Sequence, residues 1–229
     1  MFYSLSRHPG NTGEYYYNTM FKKLNMPYKY TALACNSLEE HIDRLRISSK
    51  GFSVSMPFKE KIFDYLDVVD PLAATYSTVN TVLVKDERLL GYTNDYFGAL
   101  FLKDSIPTGY SVLILGDGSM GQLISRVLGN TKIVSRRLGN WEERYQHSDV
   151  IINCTSYGTS TTESPFYIVP TAKLVFDLAI KDNQLKHQCA AKNIKYIPGI
   201  EFYKHQFIHQ FQSYTGVKVD LCDFENIQK

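Results

Sequence analysis

Short apolar runs alternate with stretches of helical apolar spacing along the second half of the chain. Residues 112–115 and 149–153 contain apolar runs short enough for strands that are buried on both faces of a parallel sheet. After Gly116, apolar positions recur at helical spacing as far as Leu128, and Gly129-Asn130 then stops the helix. This alternation of strands and helices predicts an α/β fold with a parallel sheet.

The same patterns predict the remaining elements. The first half is expected to contain strands at residues 2–6, 28–33, 51–56, 78–84 and 89–92. Helices are expected at 13–24, 59–66 and 96–102, and a further helix is expected to follow a capping box at 37–40. The second half is expected to contain strands at 112–115, 131–134, 149–153, 174–178 and 195–197, and helices after Gly116, around 141–145, at 185–192 and at 199–214. Pro107-Thr108-Gly109 marks a boundary between two domains.

A glycine-rich turn follows the strand at residues 112–115. Gly116, Gly118 and Gly121 form a G-x-G-x-x-G sequence, with Ser119 and Met120 between the second and third glycines. The first glycine permits a tight turn, the second lets the backbone approach a pyrophosphate, and the third allows close packing of helix on strand. The N-terminus of the following helix adds N–H groups and the positive end of a dipole. The turn therefore predicts a dinucleotide site, although an ordinary strand-to-helix turn has the same pattern.

The residues that would read the adenosine ribose come about twenty positions after the first glycine of such a turn. Here they are Ser135, Arg136 and Arg137. An acidic side chain would accept from a free 2′-hydroxyl, whereas a guanidinium binds a 2′-phosphate through charge-assisted hydrogen bonds. We therefore expect NADP as the cofactor. The alternative is a solvated arginine pair.

Composition and charge exclude several classes of protein. The 229 residues carry a net charge of +2, and the basic residues are scattered, which argues against nucleic acid or an anionic membrane as the main partner. No apolar stretch reaches the length of a membrane span, and the first residues lack a signal-peptide pattern. The four cysteines are far apart, as expected for reduced thiols of a cytoplasmic protein without a metal site. Monomer and homodimer both remain open.

Two residues of the first half stand where α/β proteins place ligands. Lys59 lies just past the carboxyl end of the strand predicted at 51–56. Asp95 lies close to the start of the next apolar helix, where it is also suited to a capping role. Taken alone, Lys59 fits a solvated lysine at a helix start.

Several short motifs, taken together and in order, resemble those of the shikimate dehydrogenase family. The motifs are Ser4-Leu5-Ser6, Ser53-Val54-Ser55-Met56-Pro57-Phe58-Lys59, Val79-Asn80-Thr81, Thr93-Asn94-Asp95, the glycine turn, Ser135-Arg136-Arg137, Asn153-Cys154-Thr155-Ser156-Tyr157-Gly158, and Gly199 with Gln206 in the last helix. They cover nearly the whole chain, and such collinearity is more specific than any one motif.

The resemblance implies a two-domain fold in which each domain has its own function. It implies an N-terminal α/β substrate domain over residues 1–106, completed by a C-terminal helical segment at 200–229. It also implies an NADP-binding Rossmann-like domain over 107–199. The region after Arg137 is short, which predicts a trimmed cofactor domain. Thr155 and Gly199 join the glycine turn and the arginines as implied cofactor-binding residues.

The resemblance also implies an activity, the reversible hydride transfer between NADP(H) and shikimate or 3-dehydroshikimate. Lys59 and Asp95 would be the acid/base pair of this reaction. A small-molecule substrate would be held by its carboxylate at Ser4 and Ser6 and by its hydroxyls at three further polar residues. These are Ser55, Asn80 and Gln206.

Three departures from the family pattern leave the substrate open. Ser53 stands in the place of an asparagine, Tyr96 replaces a glycine after the aspartate, and Ile180 falls near the position of a tyrosine. We expect altered recognition of a substrate hydroxyl at Ser53, because the amide donor is lost. One alternative is an oxidoreductase for quinate, an aminoshikimate or another hydroxylated ring acid. The other is a cofactor-binding sensor that has lost catalysis.

Overall fold

The computed structural model describes residues 1–227, which fold into two compact units. Unit 1 consists of Met1–Asp95 and the segment from Gln206 onward, and unit 2 consists of Tyr96–His205. The first division between the units lies at the start of a helix over Asp95–Ser105. The expected domain boundary, at residue 106, lies after this helix. The Phe202 ring lies against Gly98 of this helix, leaving no room for a side chain there, and both residues belong to unit 2.

Unit 1 is built on a mixed six-stranded sheet. Its elements are β1 (Phe2–Ser6), α1 (Thr12–Lys23), β2 (Tyr30–Ala34), α2 (Ile42–Ser48), β3 (Gly51–Val54), a 3₁₀ helix (Lys61–Tyr65), β4 (Val68–Val69), α3 (Pro71–Tyr76), β5 (Thr81–Lys85) and β6 (Arg88–Tyr92). The strand order is β2-β1-β3-β5-β6-β4. β1 runs parallel to β2 and β3, whereas β5 runs antiparallel to both β3 and β6. The carboxyl ends of β1 and β3 therefore lie at the same edge as the beginning of β5.

Unit 2 is built on a five-stranded sheet in which every pairing is parallel. Its elements are α4 (Asp95–Ser105), β7 (Val112–Leu115), α5 (Ser119–Leu128), β8 (Lys132–Val134), a 3₁₀ helix (Trp141–Tyr145), β9 (Val150–Asn153), β10 (Leu174–Asp177), α6 (Gln184–Ala191), β11 (Lys195–Pro198) and the start of α7 (Gly199–Thr215). The strand order is β11-β10-β9-β7-β8. All positions of β7, β9 and β10 are buried, as expected for a parallel sheet covered on both faces.

The end of α7 completes the core of unit 1 with aromatic side chains. The Tyr17 ring of α1 stacks on Tyr30 of β2 with 4.3 Å between ring centroids. Phe207 and Phe211 of α7 pack against the same tyrosine at 4.7 and 6.2 Å. Both phenylalanines are fully buried, so this contact removes a large apolar area from water. The run of tyrosines at residues 15–17 thus supplies core packing.

Four local predictions were wrong. The capping box at residues 37–40 does not cap α2, which begins at Ile42 behind His41 without a side-chain cap. Its Glu39 instead accepts a hydrogen bond from the Tyr65 hydroxyl. α3 lies where a loop was expected, although Asp70, which caps it, and the proline after it are a helix-start signal. The helix expected at 59–66 is shortened to the 3₁₀ helix, and a last helix, α8 (Leu221–Glu225), was not predicted.

Candidate active site

Lys59 and Asp95 form a buried ion pair in unit 1. The Lys59 ammonium donates a hydrogen bond to Oδ2 of Asp95, and the two residues are 9% and 2% exposed. The N–H of Val79 donates to the Lys59 carbonyl (3.1 Å), which ties the loop after β3 to the chain just before β5. Lysine is rarely buried this far without a partner. The interpretation of Lys59 as a solvated lysine is therefore wrong.

Asn80 completes the environment of the carboxylate. Its Nδ2 donates to Oδ1 of Asp95 at 2.8 Å, so that each oxygen of Asp95 accepts a hydrogen bond. Oδ1 of Asn80 in turn accepts from the backbone N–H of Asn94 (2.9 Å) and from the Thr81 hydroxyl (2.7 Å). The Asp95 carboxylate is thus held in one orientation by Lys59 and Asn80, and it holds the Lys59 ammonium in one position.

The predicted substrate-binding serines lie along β1 and just past β3. Ser4 is in register with Ser53 on the neighbouring strand. Ser6, the last residue of β1, is buried, whereas Ser55 follows β3 and is exposed. The N–H of Ser55 donates to the carbonyl of Leu5 (2.9 Å). Ser6, Ser55 and Asn80 are thus brought to one edge of the sheet.

Gln206 reaches this cluster through a residue that sequence reasoning missed. Nε2 of Gln206 donates to Oε1 of Gln210 at 3.3 Å. Gln210 is 2% exposed, and its Nε2 donates to the Asn80 carbonyl (3.1 Å) and to the Thr81 hydroxyl (2.7 Å). The sequence did contain a signal for Gln210, because it lies four residues after Gln206 and residues four apart on a helix share a face.

The hydroxyl of Ser53 contacts three side chains of the protein. It lies 2.6 Å from the Tyr30 hydroxyl, 2.7 Å from the Tyr214 hydroxyl and 3.2 Å from Nε2 of Gln210. A serine hydroxyl has one donor and two acceptor positions, and the two tyrosine hydroxyls take two of these three. Nε2 of Gln210, with its two N–H groups, lies closer to the Asn80 carbonyl and the Thr81 hydroxyl than to Ser53. Burial raises the pKa of Tyr30 to about 12, which keeps this hydroxyl protonated at neutral pH. Ser53 therefore connects β3 to Tyr30 of β2 and Tyr214 of α7.

The glycine turn of unit 2 has the geometry that a dinucleotide needs. Gly116 has φ of +97°, in the left-handed region. A Cβ at Gly121 would lie 2.0 Å from the Gly116 carbonyl oxygen, so the close packing of α5 on the turn requires a glycine. A Cβ at Gly118 would meet nothing within 4 Å. Gly118 precedes the first residues of α5, Ser119 and Met120, and leaves open space in front of this helix end.

The two arginines after β8 have different partners. Arg137 binds Asp117 of the glycine turn, through Nε to Oδ2 at 2.7 Å and Nη2 to the carbonyl at 3.0 Å. Burial raises the pKa of Asp117, but hydrogen bonds from Arg137 and the Ser135 side chain outweigh it and leave the pKa below its ordinary value. Arg136 instead donates to the Tyr157 hydroxyl, with its guanidinium 5.5 Å from the Trp141 ring centroid. Arg136 is thus held at the surface without an acidic partner among the described residues.

Hydrogen bonds and close backbone packing shape the loops after β9 and β10. The N–H and hydroxyl of Thr155 both donate to Oδ1 of Asn153, at 3.1 and 2.6 Å. Nδ2 of Asn153 donates to the buried Asp177 carboxylate (2.9 Å). A Cβ at Gly199 would lie 2.2 Å from the Leu178 carbonyl oxygen, so α7 can begin this close to the end of β10 only with a glycine.

Residues 1–227 contain neither a membrane-spanning helix nor a cluster of metal ligands. None of the helices there is both long and apolar enough to cross a membrane. No three potential metal ligands of the His, Cys, Asp and Glu types cluster there. The His205 ring stacks on Phe101 with 4.4 Å between centroids, which is a packing contact.

Comparison with known proteins identifies the relatives of this chain. Residues 14–82 match the family described as the shikimate dehydrogenase substrate binding domain. A shikimate dehydrogenase (NADP(+)) of Pyrococcus abyssi is 28% identical over 231 residues, which cover 90% of this chain and 88% of the relative. The chain is thus similar to the shikimate dehydrogenase family over nearly its whole length. A shikimate dehydrogenase-like protein of Haemophilus influenzae is 25% identical, with 93% and 89% coverage.

Solved structures of the shikimate dehydrogenase family share the fold. The shikimate 5-dehydrogenase of Thermus thermophilus, in complex with NADP(H) and shikimate, has a TM-score of 0.83 and 23% identity, and the match covers 99% of this chain and 97% of that one. The shikimate dehydrogenase of Aquifex aeolicus has a TM-score of 0.82 and 24% identity, with 99% and 96% coverage. The predicted resemblance to this family and the predicted α/β fold with a Rossmann-like second half are confirmed.

Proposed function

We propose that this protein is an NADP-dependent dehydrogenase that interconverts shikimate and 3-dehydroshikimate. The observation that carries the proposal is the buried Lys59–Asp95 pair, held by Asn80 at an edge of the unit 1 sheet. Similarity to the shikimate dehydrogenase family and the names of its relatives support the reaction class and the cofactor.

Lys59 and Asp95 would handle the proton of the reaction. In the oxidising direction the neutral amine of Lys59 accepts the proton of the reacting hydroxyl, and in the reducing direction its ammonium returns a proton to the developing alkoxide. Asp95 holds Lys59 in place through Oδ2, while Asn80 keeps the carboxylate from turning. Because the pair is buried, water competes little for these hydrogen bonds.

The substrate would be bound by the polar residues of unit 1. Ser4 and Ser6 are assigned to its carboxylate, and Ser55, Asn80 and Gln206 to its ring hydroxyls. A site whose polar groups are satisfied by substrate hydroxyls rejects an analogue that lacks them, because those groups would then be left unpaired.

The residues of unit 2 fit the cofactor. The open space at Gly118 would admit a pyrophosphate beside the N-terminus of α5, with Gly116, Ser119, Met120 and Gly121 forming the rest of the turn. Arg136 would bind the 2′-phosphate, assisted by Ser135 and Arg137, and Thr155 and Gly199 would complete the site. When bound, NADP supplies the hydride acceptor.

One structural observation favours a second candidate substrate. The Ser53 hydroxyl already contacts the Tyr30 and Tyr214 hydroxyls and Nε2 of Gln210, which leaves it at most one hydrogen-bonding position for a ring hydroxyl. The alternative substrate is therefore another hydroxylated ring acid, for which quinate and an aminoshikimate are the compounds to compare with shikimate.

The test is turnover by the purified protein. Shikimate with NADP should produce the absorbance of the reduced nicotinamide, and Lys59→Ala should lower kcat by about 10²- to 10⁴-fold, the usual contribution of a general acid or base. Lys61→Ala, an exposed lysine of the next 3₁₀ helix, is the matched control and should behave as the wild type. A higher kcat/KM for another ring acid would favour the second substrate. Cofactor binding without turnover of any such acid would instead support the sensor alternative.

A further inference from the structure

Two buried side-chain amides near Asp95, those of Asn80 and Gln210, can each be oriented in only one way. In both, a contact with a backbone group decides which amide atom is the nitrogen and which is the oxygen. A backbone N–H can only donate and a backbone carbonyl can only accept. Each of these groups faces a side-chain amide whose nitrogen and oxygen would otherwise be interchangeable. The direction of every bond in the cluster follows from these two contacts.

The first contact orients Asn80. The N–H of Asn94 lies 2.9 Å from one amide atom of Asn80, which must therefore be the oxygen. The other amide atom, 2.8 Å from Oδ1 of Asp95, is then the nitrogen, and it donates to the carboxylate. Because the Thr81 hydroxyl lies 2.7 Å from the same Asn80 oxygen, this hydroxyl must donate to it.

The second contact orients Gln210. The carbonyl of Asn80 lies 3.1 Å from one amide atom of Gln210, which must therefore be the nitrogen. The same nitrogen lies 2.7 Å from the Thr81 hydroxyl oxygen, and Nδ2 of Asn94 lies 2.9 Å from it. Both acceptor positions of Thr81 are thus filled by donors, and its proton has only the Asn80 oxygen to point to.

The opposite side of the Gln210 amide is also filled. Its Oε1 accepts from the Tyr17 hydroxyl (2.7 Å) and from Nε2 of Gln206 (3.3 Å). Rotation of the amide would place its oxygen against the Asn80 carbonyl oxygen, and its nitrogen against Nε2 of Gln206. The amide is consequently fixed by partners from α1, β5 and α7.

We propose that Gln210 and Thr81 are positioning residues for the acid/base pair. Gln210 donates to Thr81, Thr81 donates to Asn80, Asn80 donates to Asp95, and Asp95 accepts from Lys59. Gln210 directs the Thr81 proton toward the Asn80 oxygen, where it adds a second donor beside the Asn94 N–H. A glutamine on the C-terminal helix thus helps to keep the Asn80 amide turned toward the catalytic carboxylate. This role rests on the proposed function of Lys59 and Asp95, and neither Gln210 nor Thr81 is assigned a contact with substrate.

The test removes the Thr81 hydroxyl with little change of shape. Thr81→Val should lower kcat by about 10- to 100-fold with little change in KM, because it disturbs the geometry of the reacting groups and not the binding of substrate. Thr81→Ser keeps the hydroxyl and should restore most of that loss. Gln210→Met should lower kcat in the same way.

Thr78→Val provides the matched control. Thr78 is fully buried two residues before Asn80, and its hydroxyl has no hydrogen-bond partner among the described residues. Removing this hydroxyl should leave kcat and the unfolding temperature near those of the wild type. If Thr78→Val and Thr81→Val lowered kcat equally, the directed chain of hydrogen bonds would be refuted.

A spectroscopic readout separates this inference from the proposed function. In the wild type, the Asn80 side-chain amide protons should exchange slowly with solvent in an NMR experiment, and Thr81→Val should speed their exchange and shift their resonances. Thr78→Val should not. A wild type without turnover would contradict the proposed function and leave this measurement to decide the inference. Unchanged Asn80 resonances in Thr81→Val would overturn it.

Discussion

At the scale of single residues, the candidate sites depend on which side chains are already paired with other groups of the protein. Ser53 and Arg137 look available in the sequence, but each already has partners within the protein. Arg136, by contrast, has no acidic partner among the described residues. Gly118 has open space at its Cβ position. Two predictions follow from these differences.

The first residue-scale prediction concerns the two glycines. Gly118→Ala should fold normally, since its φ of −72° suits alanine and nothing lies within 4 Å of the new Cβ. It should weaken NADP binding, because the methyl group would fill the space proposed for the pyrophosphate. Gly121→Ala places a Cβ 2.0 Å from the Gly116 carbonyl oxygen and should instead destabilise unit 2. Thermal unfolding and a fluorescence titration with NADP distinguish the two effects, and equal NADP affinity in Gly118→Ala and wild type would contradict the site.

The second concerns the arginines. Arg136→Gln should reduce the preference for NADP over NAD by about 10- to 100-fold, the equivalent of one charge-assisted hydrogen bond to the phosphate. Arg137→Gln is the matched change, and it should reduce this preference less, because Arg137 is already paired with Asp117. The measurement is the ratio of dissociation constants for the two cofactors. A larger loss of preference in Arg137→Gln would reverse the assignment.

At the scale of elements, side chains at the ends of strands connect neighbouring segments. In unit 2, Asp149 accepts from the N–H and hydroxyl of Ser111, just before β7, and pairs with Lys173, just before β10. These interactions, led by the backbone bond from Ser111, lower the pKa of Asp149 to about 2. One carboxylate thereby ties the beginnings of three neighbouring strands.

This arrangement predicts a pH-dependent stability. The pKa of Asp149 is lower in the folded protein than its ordinary value of 3.8, so its ionised form stabilises the fold above that pH. The contribution is lost as the pH falls from about 4 toward 2. Asp149→Asn should therefore unfold at lower urea than the wild type at pH 7, and the two midpoints should converge near pH 2. A gap between the midpoints that does not change with pH would argue that the charge has no role.

At the scale of the whole molecule, the chain does not complete its first unit until its last helices. α7 begins in unit 2 and ends in unit 1, where it contributes Phe211 to the aromatic core and Gln210 to the polar cluster. The segment from Gln206 onward thus stabilises the same unit that carries Lys59 and Asp95.

Phe211→Ala tests this dependence. Deleting the buried ring should lower the free energy of unfolding of unit 1 by about 3–5 kcal/mol. Trp141, the single tryptophan of the chain, lies in unit 2, so its fluorescence reports that unit, while tyrosine near-UV circular dichroism reports mainly on unit 1. In urea, the tyrosine transition should move to lower concentration and precede the tryptophan transition. Tyr167→Ala, at a ring that is 91% exposed, should move neither.

Much of unit 2 could be predicted from the sequence, and less of unit 1. The apolar runs of β7, β9 and β10 and the glycine turn carry their structure in adjacent residues, and the structure reproduces them within a residue or two. Unit 1 has short strands whose neighbours come from distant parts of the chain. There the capping box at residues 37–40 was a wrong prediction, because α2 begins only at Ile42, behind His41.

The sequence by itself determined the order of strands and helices, the glycine turn and the family resemblance, because periodicity and turn chemistry depend on residues a few positions apart. Only the tertiary structure decided that Gln210 lies against Asn80 and Thr81, that Ser53 contacts two tyrosine hydroxyls, and which arginine Asp117 engages. Such facts depend on the directions of hydrogen bonds between residues that are remote along the chain. No local pattern encodes those directions, because they arise only when the sheet and the last helices pack together.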